Sequence, residues 1–166
     1  MNAEEFKRTF LPCTRRLYRA ACRLTGNGHD AEDLVQETML RLWMKRGELG
    51  NVRSAEAYGI MTLRRIYYDK RRLRHLDIAD INADIADENT PVSDCERKER
   101  ARMVREQIDS LPEQQRELVT LRDICELTYD EIATQTGLTL TNIRTTISRA
   151  RKTLKTILTE KCDETT

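Results

Sequence analysis

Aromatic residues, prolines and histidines are few in this chain of 166 residues. Aromatic residues make up 5% of it, and it contains three prolines and a single tryptophan. This composition favours helices around thin cores over a β-sandwich. The two histidines, His29 and His75, are isolated, and none of the five cysteines forms a CxxC pair. We therefore expect no metal site, no cofactor and reduced thiols.

Long apolar runs are also missing. The N-terminus has no hydrophobic segment of the kind found in signal peptides, and no apolar stretch approaches the length of a membrane span. We expect a cytoplasmic protein that does not insert into a membrane. Charged residues make up 34% of the chain, yet its net charge is only +1. Any attraction to nucleic acid must therefore come from local segregation of charge.

Charge is segregated most clearly between Thr128 and Leu154. Thr128 and Glu131 have capping-box spacing, and Gly137 suits the sharp turn that follows. The next predicted helix buries the stripe Ile143, Ile147, Ala150 and Leu154. Its opposite face is basic and polar and presents Thr141, Asn142, Arg144, Thr145, Ser148 and Arg149. The pattern predicts a helix-turn-helix that reads DNA, the alternative being a helical hairpin with a solvated basic face.

Helical periodicity also organises the first part of the chain. The predicted helices span residues 3–25, 31–46 and 55–74. Pro12 should kink or split the first helix, and Asp30 and Ser54 are the expected N-caps of the second and third.

An acidic segment separates this block from the rest. Residues 77–94 contain six acids and no Lys or Arg, which predicts a disordered or extended linker. A second helical block begins near Cys95 and includes a helix start at Pro112. The fold class that follows is all-α, with two small helical domains joined by a flexible acidic linker and a helix-turn-helix in the C-terminal one.

Two surfaces of the first block have open interpretations. The third predicted helix ends in a basic stretch with tyrosines, which suits opened or single-stranded nucleic acid, although a solvated helix end explains it equally well. The second helix carries Asp33, Gln36, Glu37 and Leu40 on one face. This face suits a basic protein partner, but spacing alone favours a solvated surface.

Longer motifs resemble a known family. Residues 30–43, DAEDLVQETMLRLW, resemble the polymerase-binding segment of sigma factors, the promoter-specificity subunits of bacterial RNA polymerase. The motifs LPEQQRE at 111–117 and ISRARK at 147–152 resemble their fourth conserved region. With only these two regions and a short linker, the chain is most similar to the extracytoplasmic-function (ECF) group. The resemblance covers roughly residues 5–75 and 96–160.

The resemblance implies a division of labour along the chain. Residues 1–75 would form region 2, which binds polymerase and melts the −10 promoter element. Residues 76–95 would be the linker, threading toward the RNA-exit path. Residues 96–162 would form region 4, which reads the −35 element. The implied partners are core RNA polymerase, through its β′ coiled coil and β flap, and promoter DNA. An anti-sigma factor is a common partner in this group.

The resemblance also implies roles for individual residues, with no catalytic site. The polymerase-binding residues would be Asp33, Gln36, Glu37 and Leu40, which reverses the preference for a solvated face. The −10 residues would be Asn51, Tyr58, Arg64, Arg65, Tyr68, Arg71 and Arg72. The −35 residues would be Thr141, Asn142, Arg144, Thr145, Ser148 and Arg149. The alternative function is a stand-alone helix-turn-helix regulator that does not bind polymerase.

Overall fold

The computed structural model describes residues 1–77 and 92–163, which form eight α-helices without a strand in either range. The helices are α1 (Ala3–Phe10), α2 (Thr14–Thr25), α3 (Gly28–Met44), α4 (Ala55–Asp77), α5 (Val92–Asp109), α6 (Glu113–Val119), α7 (Tyr129–Thr136) and α8 (Leu140–Asp163). Three short helical turns, Leu11–Cys13, Arg46–Asn51 and Thr120–Ile124, connect them. The all-α prediction is confirmed. Most of the predicted linker, 78–91, lies outside the described residues, while α4 and α5 extend into its two ends.

Local signals explain how the helices of the N-terminal half (residues 1–77) begin and end. Pro12 lies in the turn that splits the first predicted helix into α1 and α2. The Ser54 hydroxyl accepts a hydrogen bond from the Ala57 N–H, as expected of an N-cap. The prediction for α3 was wrong: Asn27, not Asp30, is its N-cap, and the Asn27 side chain accepts a bond from the Asp30 N–H at 2.7 Å. The helix therefore starts three residues earlier than predicted.

The C-terminal half (residues 92–163) contains the predicted helix-turn-helix. Pro112 is the N-cap of α6, and a π-helical turn continues from α6 to Ile124. Thr128 and Glu131 form the capping box of α7, with both reciprocal hydrogen bonds present. Gly137 ends α7 in the left-handed conformation, at φ 74°. The Thr139 hydroxyl then accepts a bond from the Asn142 N–H and caps α8.

One apolar core runs through both halves. It includes Leu17 and Leu24 of α2, Leu63 of α4, and Leu121 and Ile143 of the C-terminal half. A smaller cluster of Phe6, Phe10, Leu42 and Leu49 packs beside Trp43. The two halves are therefore not separate bodies in this structure, since α2 and α4 pack directly against the C-terminal half. Among the described residues, no helix is long and apolar enough to cross a membrane.

Candidate nucleic-acid interface

The outer face of α8 has the composition of a DNA-reading surface. Its buried stripe is Ile143, Ile147 and Ala150, with Leu154 half-buried. The side chains predicted to reach bases and phosphates are all exposed: Thr141, Asn142, Arg144, Thr145, Ser148 and Arg149. The Arg144 guanidinium lies 5.4 Å from the centre of the Tyr129 ring, a cation–π distance. This contact connects the two helices of the helix-turn-helix and orients Arg144.

A second arginine of α8 has a structural role instead. Arg151 makes a bidentate ion pair with Asp123, at 2.5 and 3.0 Å. Asp123 lies in the turn after α6, so the pair fixes the recognition helix against the preceding element. The basic face of α8 is therefore divided between exposed side chains that are predicted to contact DNA and an arginine that maintains packing.

On α3, the predicted polymerase-binding face is mostly open. Asp33 and Gln36 are exposed, and Leu40 retains 57% of its accessible surface. Glu37 is different, because it accepts hydrogen bonds from both Arg41 and Lys70, and the bond from Lys70 is the main reason that its pKa is lowered. A basic partner would meet Asp33 directly but would have to compete with Lys70 for Glu37.

The predicted −10 residues occupy three kinds of environment. Asn51, Arg65 and Arg72 are exposed. Tyr58 packs against the small cluster around Phe6. Arg64, Tyr68 and Arg71 lie against the C-terminal half.

The buried part of this set forms a dense contact on α4. Arg71 pairs with Asp109 at 2.5 Å, and Arg64 approaches Glu117 at 3.5 Å. The Tyr68 hydroxyl shares a hydrogen bond of 3.1 Å with Thr120. Burial lowers the pKa of Arg64 and raises that of Tyr68. The C-terminal half therefore covers most of the Arg64 and Arg71 side chains, which are 12% and 30% exposed.

A second patch of the same contact lies on α2. Arg23 pairs with Glu126 at 2.7 Å, and Arg16 pairs with Glu131 at 3.4 Å. Arg16 also donates to the Glu126 carbonyl at 3.2 Å. We call the two patches together the closing contact. Its N-terminal side chains are Arg16, Arg19, Arg23, Arg64, Tyr68 and Arg71. Its C-terminal side chains are Asp109, Glu117, Thr120, Glu126 and Glu131.

The sequence did not indicate the acidic side of this contact. The sequence positions of Asp109, Glu117 and Glu126 suggest only solvent-exposed acids. Their partners in the structure lie far away in the chain. Glu126 alone carries a local peculiarity, since it is a non-glycine residue at φ 59°. A positive φ indicates a turn at Glu126, but it does not identify Arg23 as the ion-pair partner of this residue.

Comparison with known proteins agrees with this architecture. The family described as Sigma-70 region 2 matches residues 10–75, and Sigma-70, region 4 matches residues 101–154. The ECF RNA polymerase sigma factor SigE of Mycolicibacterium smegmatis is 33% identical over 163 residues, which is 90% of this chain and 60% of that protein. EcfG of Rhodopseudomonas palustris, also an ECF sigma factor, is 28% identical over 142 residues. That alignment covers 83% of this chain and 76% of EcfG.

A solved structure supports the same fold. The sigma factor RpoE of Bartonella quintana, in complex with the anti-sigma factor NepR, aligns with a TM-score of 0.62 at 23% identity. The alignment covers 95% of this chain and 98% of RpoE. Two family matches in the expected order define the class, a sigma-70 type protein with regions 2 and 4. The chain belongs to the extracytoplasmic-function group of the sigma-70 family. It spans 60% of the length of SigE, its relative in Mycolicibacterium smegmatis.

Proposed function

We propose that this chain is an ECF-type sigma factor that binds core RNA polymerase and directs promoter-specific initiation of transcription. The observation that carries the proposal is the presence of two exposed surfaces of opposite character in one chain. One is the acidic face of α3, and the other is the polar and basic face of α8. A protein partner and duplex DNA are their respective complements.

The polymerase contact in this proposal centres on α3. Asp33, Gln36 and Leu40 meet the β′ coiled coil, and Glu37 joins them once it leaves Lys70. The β flap contacts the C-terminal half. An exposed leucine beside carboxylates provides apolar area together with charge complementarity, a combination found in many protein interfaces.

Promoter recognition is divided between the two halves. The turn containing Asn51 and the basic side of α4, with Tyr58, Arg64, Arg65, Tyr68, Arg71 and Arg72, engages the opened −10 element. The exposed face of α8 engages the −35 element as duplex. Each surface binds weakly alone, and polymerase makes the second contact effectively intramolecular. The domain assignment is region 2 over 1–75 and region 4 over 96–162, joined by the linker 76–95.

The proposal includes no catalytic site and no cofactor, and it places the protein in the cytoplasm with the polymerase. An anti-sigma factor is a further candidate partner. RpoE of Bartonella quintana, which shares the fold, was solved with one.

Reconstitution with core RNA polymerase tests the proposal. We expect the holoenzyme to start transcripts at a limited set of genomic sites that share two upstream motifs, as sequencing of the transcripts would reveal. Duplex binding by the chain alone, with no effect on polymerase, would instead identify a stand-alone regulator.

A charge reversal tests the polymerase surface separately. Asp33→Lys should weaken binding to core polymerase by about tenfold or more, because it places a cation where the basic partner docks. Glu32→Lys is the matched control, since Glu32 is also exposed on α3 but lies outside the proposed site. Equal affinity of the two variants would remove α3 from the interface.

A further inference from the structure

Thr146 is a buried polar side chain beside the apolar stripe of α8. Its exposed fraction is 8%, while its neighbours Ile143 and Ile147 are fully buried. A buried hydroxyl is almost always hydrogen-bonded, because leaving it unpaired costs free energy. The partner that Thr146 has is therefore part of how α8 is built.

Other threonines of α8 bond to the helix backbone. The hydroxyls of Thr153, Thr156 and Thr159 each donate to the carbonyl four residues earlier, at 2.8–3.1 Å. This is a common arrangement for a threonine inside a helix. Thr146 differs, because its hydroxyl donates to the side-chain Oδ1 of Asn142 at 3.1 Å. Thr146 therefore acts on a neighbouring side chain.

That neighbour lies where a recognition helix meets the bases. Asn142 is exposed in the first turn of α8, and the N-terminal residues of a recognition helix contact base edges. The Asn142 backbone N–H donates to the Thr139 hydroxyl at 3.2 Å. Thr139 thus holds the backbone of Asn142, and Thr146 holds its side chain.

The bond to Thr146 determines which end of the Asn142 carboxamide faces outward. Oδ1 only accepts hydrogen bonds, and Nδ2 only donates them. The hydroxyl hydrogen of Thr146 needs an acceptor, and Nδ2 is not one. Oδ1 therefore turns toward the buried Thr146, and Nδ2 is the end that DNA would meet.

The other side chains of the predicted −35 surface are also biased toward donation. The six residues of that set include two arginines, which only donate, and three hydroxyl groups, which can donate or accept. Asn142 has the one side-chain carbonyl of the six, and residues 139–159 contain no Asp or Glu. With Oδ1 bonded to Thr146, the surface lacks a dedicated acceptor for the amino groups of adenine and cytosine.

We propose that Thr146 is a positioning residue for promoter recognition, which holds Asn142 as a hydrogen-bond donor to a base. Asn142 then recognises an acceptor, the O6 or N7 of guanine or the O4 of thymine. The bidentate pair with adenine is disfavoured, because it needs Oδ1 to accept from N6 while Nδ2 donates to N7. Thr146 itself does not contact DNA. This inference rests on the proposed function, in which α8 reads the −35 element.

A second exposed side chain of α8 is held in a comparable way. The Tyr129 ring lies 5.4 Å from the Arg144 guanidinium and 4.6 Å from that of Arg122. Arg144 and Asn142 are two positions apart, so they lie on nearly opposite sides of the helix. Contacts within the domain thus orient side chains on both sides of the outer face of α8, which reduces the entropy lost on binding DNA.

The orientation of Asn142 is measurable in the free full-length chain. Thr146→Val keeps the side-chain shape and removes the hydroxyl, whereas Thr146→Ser keeps the hydroxyl. We expect the order parameter of the Asn142 side-chain amide, from NMR relaxation, to fall in Thr146→Val and to stay near the parental value in Thr146→Ser. Thr156→Val is the matched control, because the Thr156 hydroxyl bonds to the Lys152 carbonyl. An equally ordered amide in Thr146→Val would overturn the positioning role.

Base preference is the functional readout. Holoenzyme reconstituted with core polymerase would select from promoter duplexes randomised over the upstream motif. The parent should prefer guanine or thymine at one position, which Asn142→Ala identifies by losing that preference. Thr146→Val should raise the share of adenine there by about fivefold, because the released carboxamide can turn Oδ1 toward the base. Thr146→Ser and Thr156→Val should keep the parental preference.

A double-mutant cycle separates positioning from packing. In the Asn142→Ala background, Thr146→Val should change the base preference no further, since Thr146 acts through Asn142. An effect of Thr146→Val that persists without Asn142, a uniform loss of affinity over all duplexes, or an unchanged preference would overturn the inference alone. A parent holoenzyme that selects no upstream sequence would overturn the proposed function, whatever the order of the amide in the free chain.

Discussion

Arg144 is an exposed side chain of α8 whose geometry suits a base-reading group. It is exposed, it lies in the first two turns of the helix, and the Tyr129 ring limits its orientations. A guanidinium held this way loses less rotamer entropy when it makes a bidentate contact with a guanine.

Replacing this side chain tests the reading surface. Arg144→Ala should weaken binding of holoenzyme to its −35 element by about 1–3 kcal/mol and relax the sequence preference at one position. Lys155→Ala is the control, because Lys155 is an exposed cation farther along α8 and outside the predicted set. Competition binding with duplexes altered one base pair at a time would measure both effects. A uniform loss across all duplexes would show that Arg144 contacts phosphate.

The Glu131 carboxylate takes part in both the capping box of α7 and the closing contact. It accepts from the Thr128 N–H at 2.8 Å to complete the capping box, and it pairs with Arg16 of α2. The start of the helix-turn-helix is thus also an anchor of the closing contact.

At the scale of the element, this cap should make a measurable contribution to stability. Thr128→Ala removes the acceptor for the Glu131 N–H and should lower the free energy of unfolding by about 1 kcal/mol. Urea denaturation would measure the loss. Thr153→Ala is the comparison, since the Thr153 hydroxyl bonds only to the Arg149 carbonyl inside α8 and caps nothing. Equal stability of the two variants would contradict the capping role.

Helix boundaries were predictable because their causes are local. Pro12, Ser54 and Gly137 each act within four residues, and the structure confirms all three. Asp30 was mistaken for a cap because Asn27, three positions earlier, is an equally good one and captures the Asp30 N–H.

The closing contact could not be predicted in the same way. Tyr68 and Thr120 are 52 positions apart, and Arg16 and Glu131 are 115 apart. No periodicity connects such pairs. The sequence did indicate the basic, tyrosine-bearing character of α4, but that character fits DNA and an acidic protein surface equally well. Only the packing of the two halves distinguishes which partner α4 has in the free protein.

At the scale of the whole molecule, the closing contact should respond to pH. Within this contact, the hydrogen bond from Arg23 holds the pKa of the Glu126 carboxyl below the usual value of 4.5. Burial raises the pKa of Glu131, but hydrogen bonds from the Thr128 N–H and Arg16 outweigh it, and the net shift is downward. An acid whose pKa is depressed by the closing contact stabilises that contact at every pH above the acid's ordinary pKa. This stabilisation is lost as the pH falls through the depressed pKa.

The closing contact should therefore hold from pH 7 to about pH 5 and weaken progressively as the pH falls below 4.5. Small-angle X-ray scattering would measure this as a radius of gyration near 15 Å, the value for a compact chain of this length, that rises on acidification. Helix content by circular dichroism separates opening of the halves from global unfolding. Glu126→Gln removes one of the titrating partners, so the radius of gyration of this variant should change less on acidification than that of the parent. A radius of gyration that stays near 15 Å below pH 4, with the helices intact, would mean that apolar packing alone holds the two halves together. The ion pairs would then be dispensable for the closing contact.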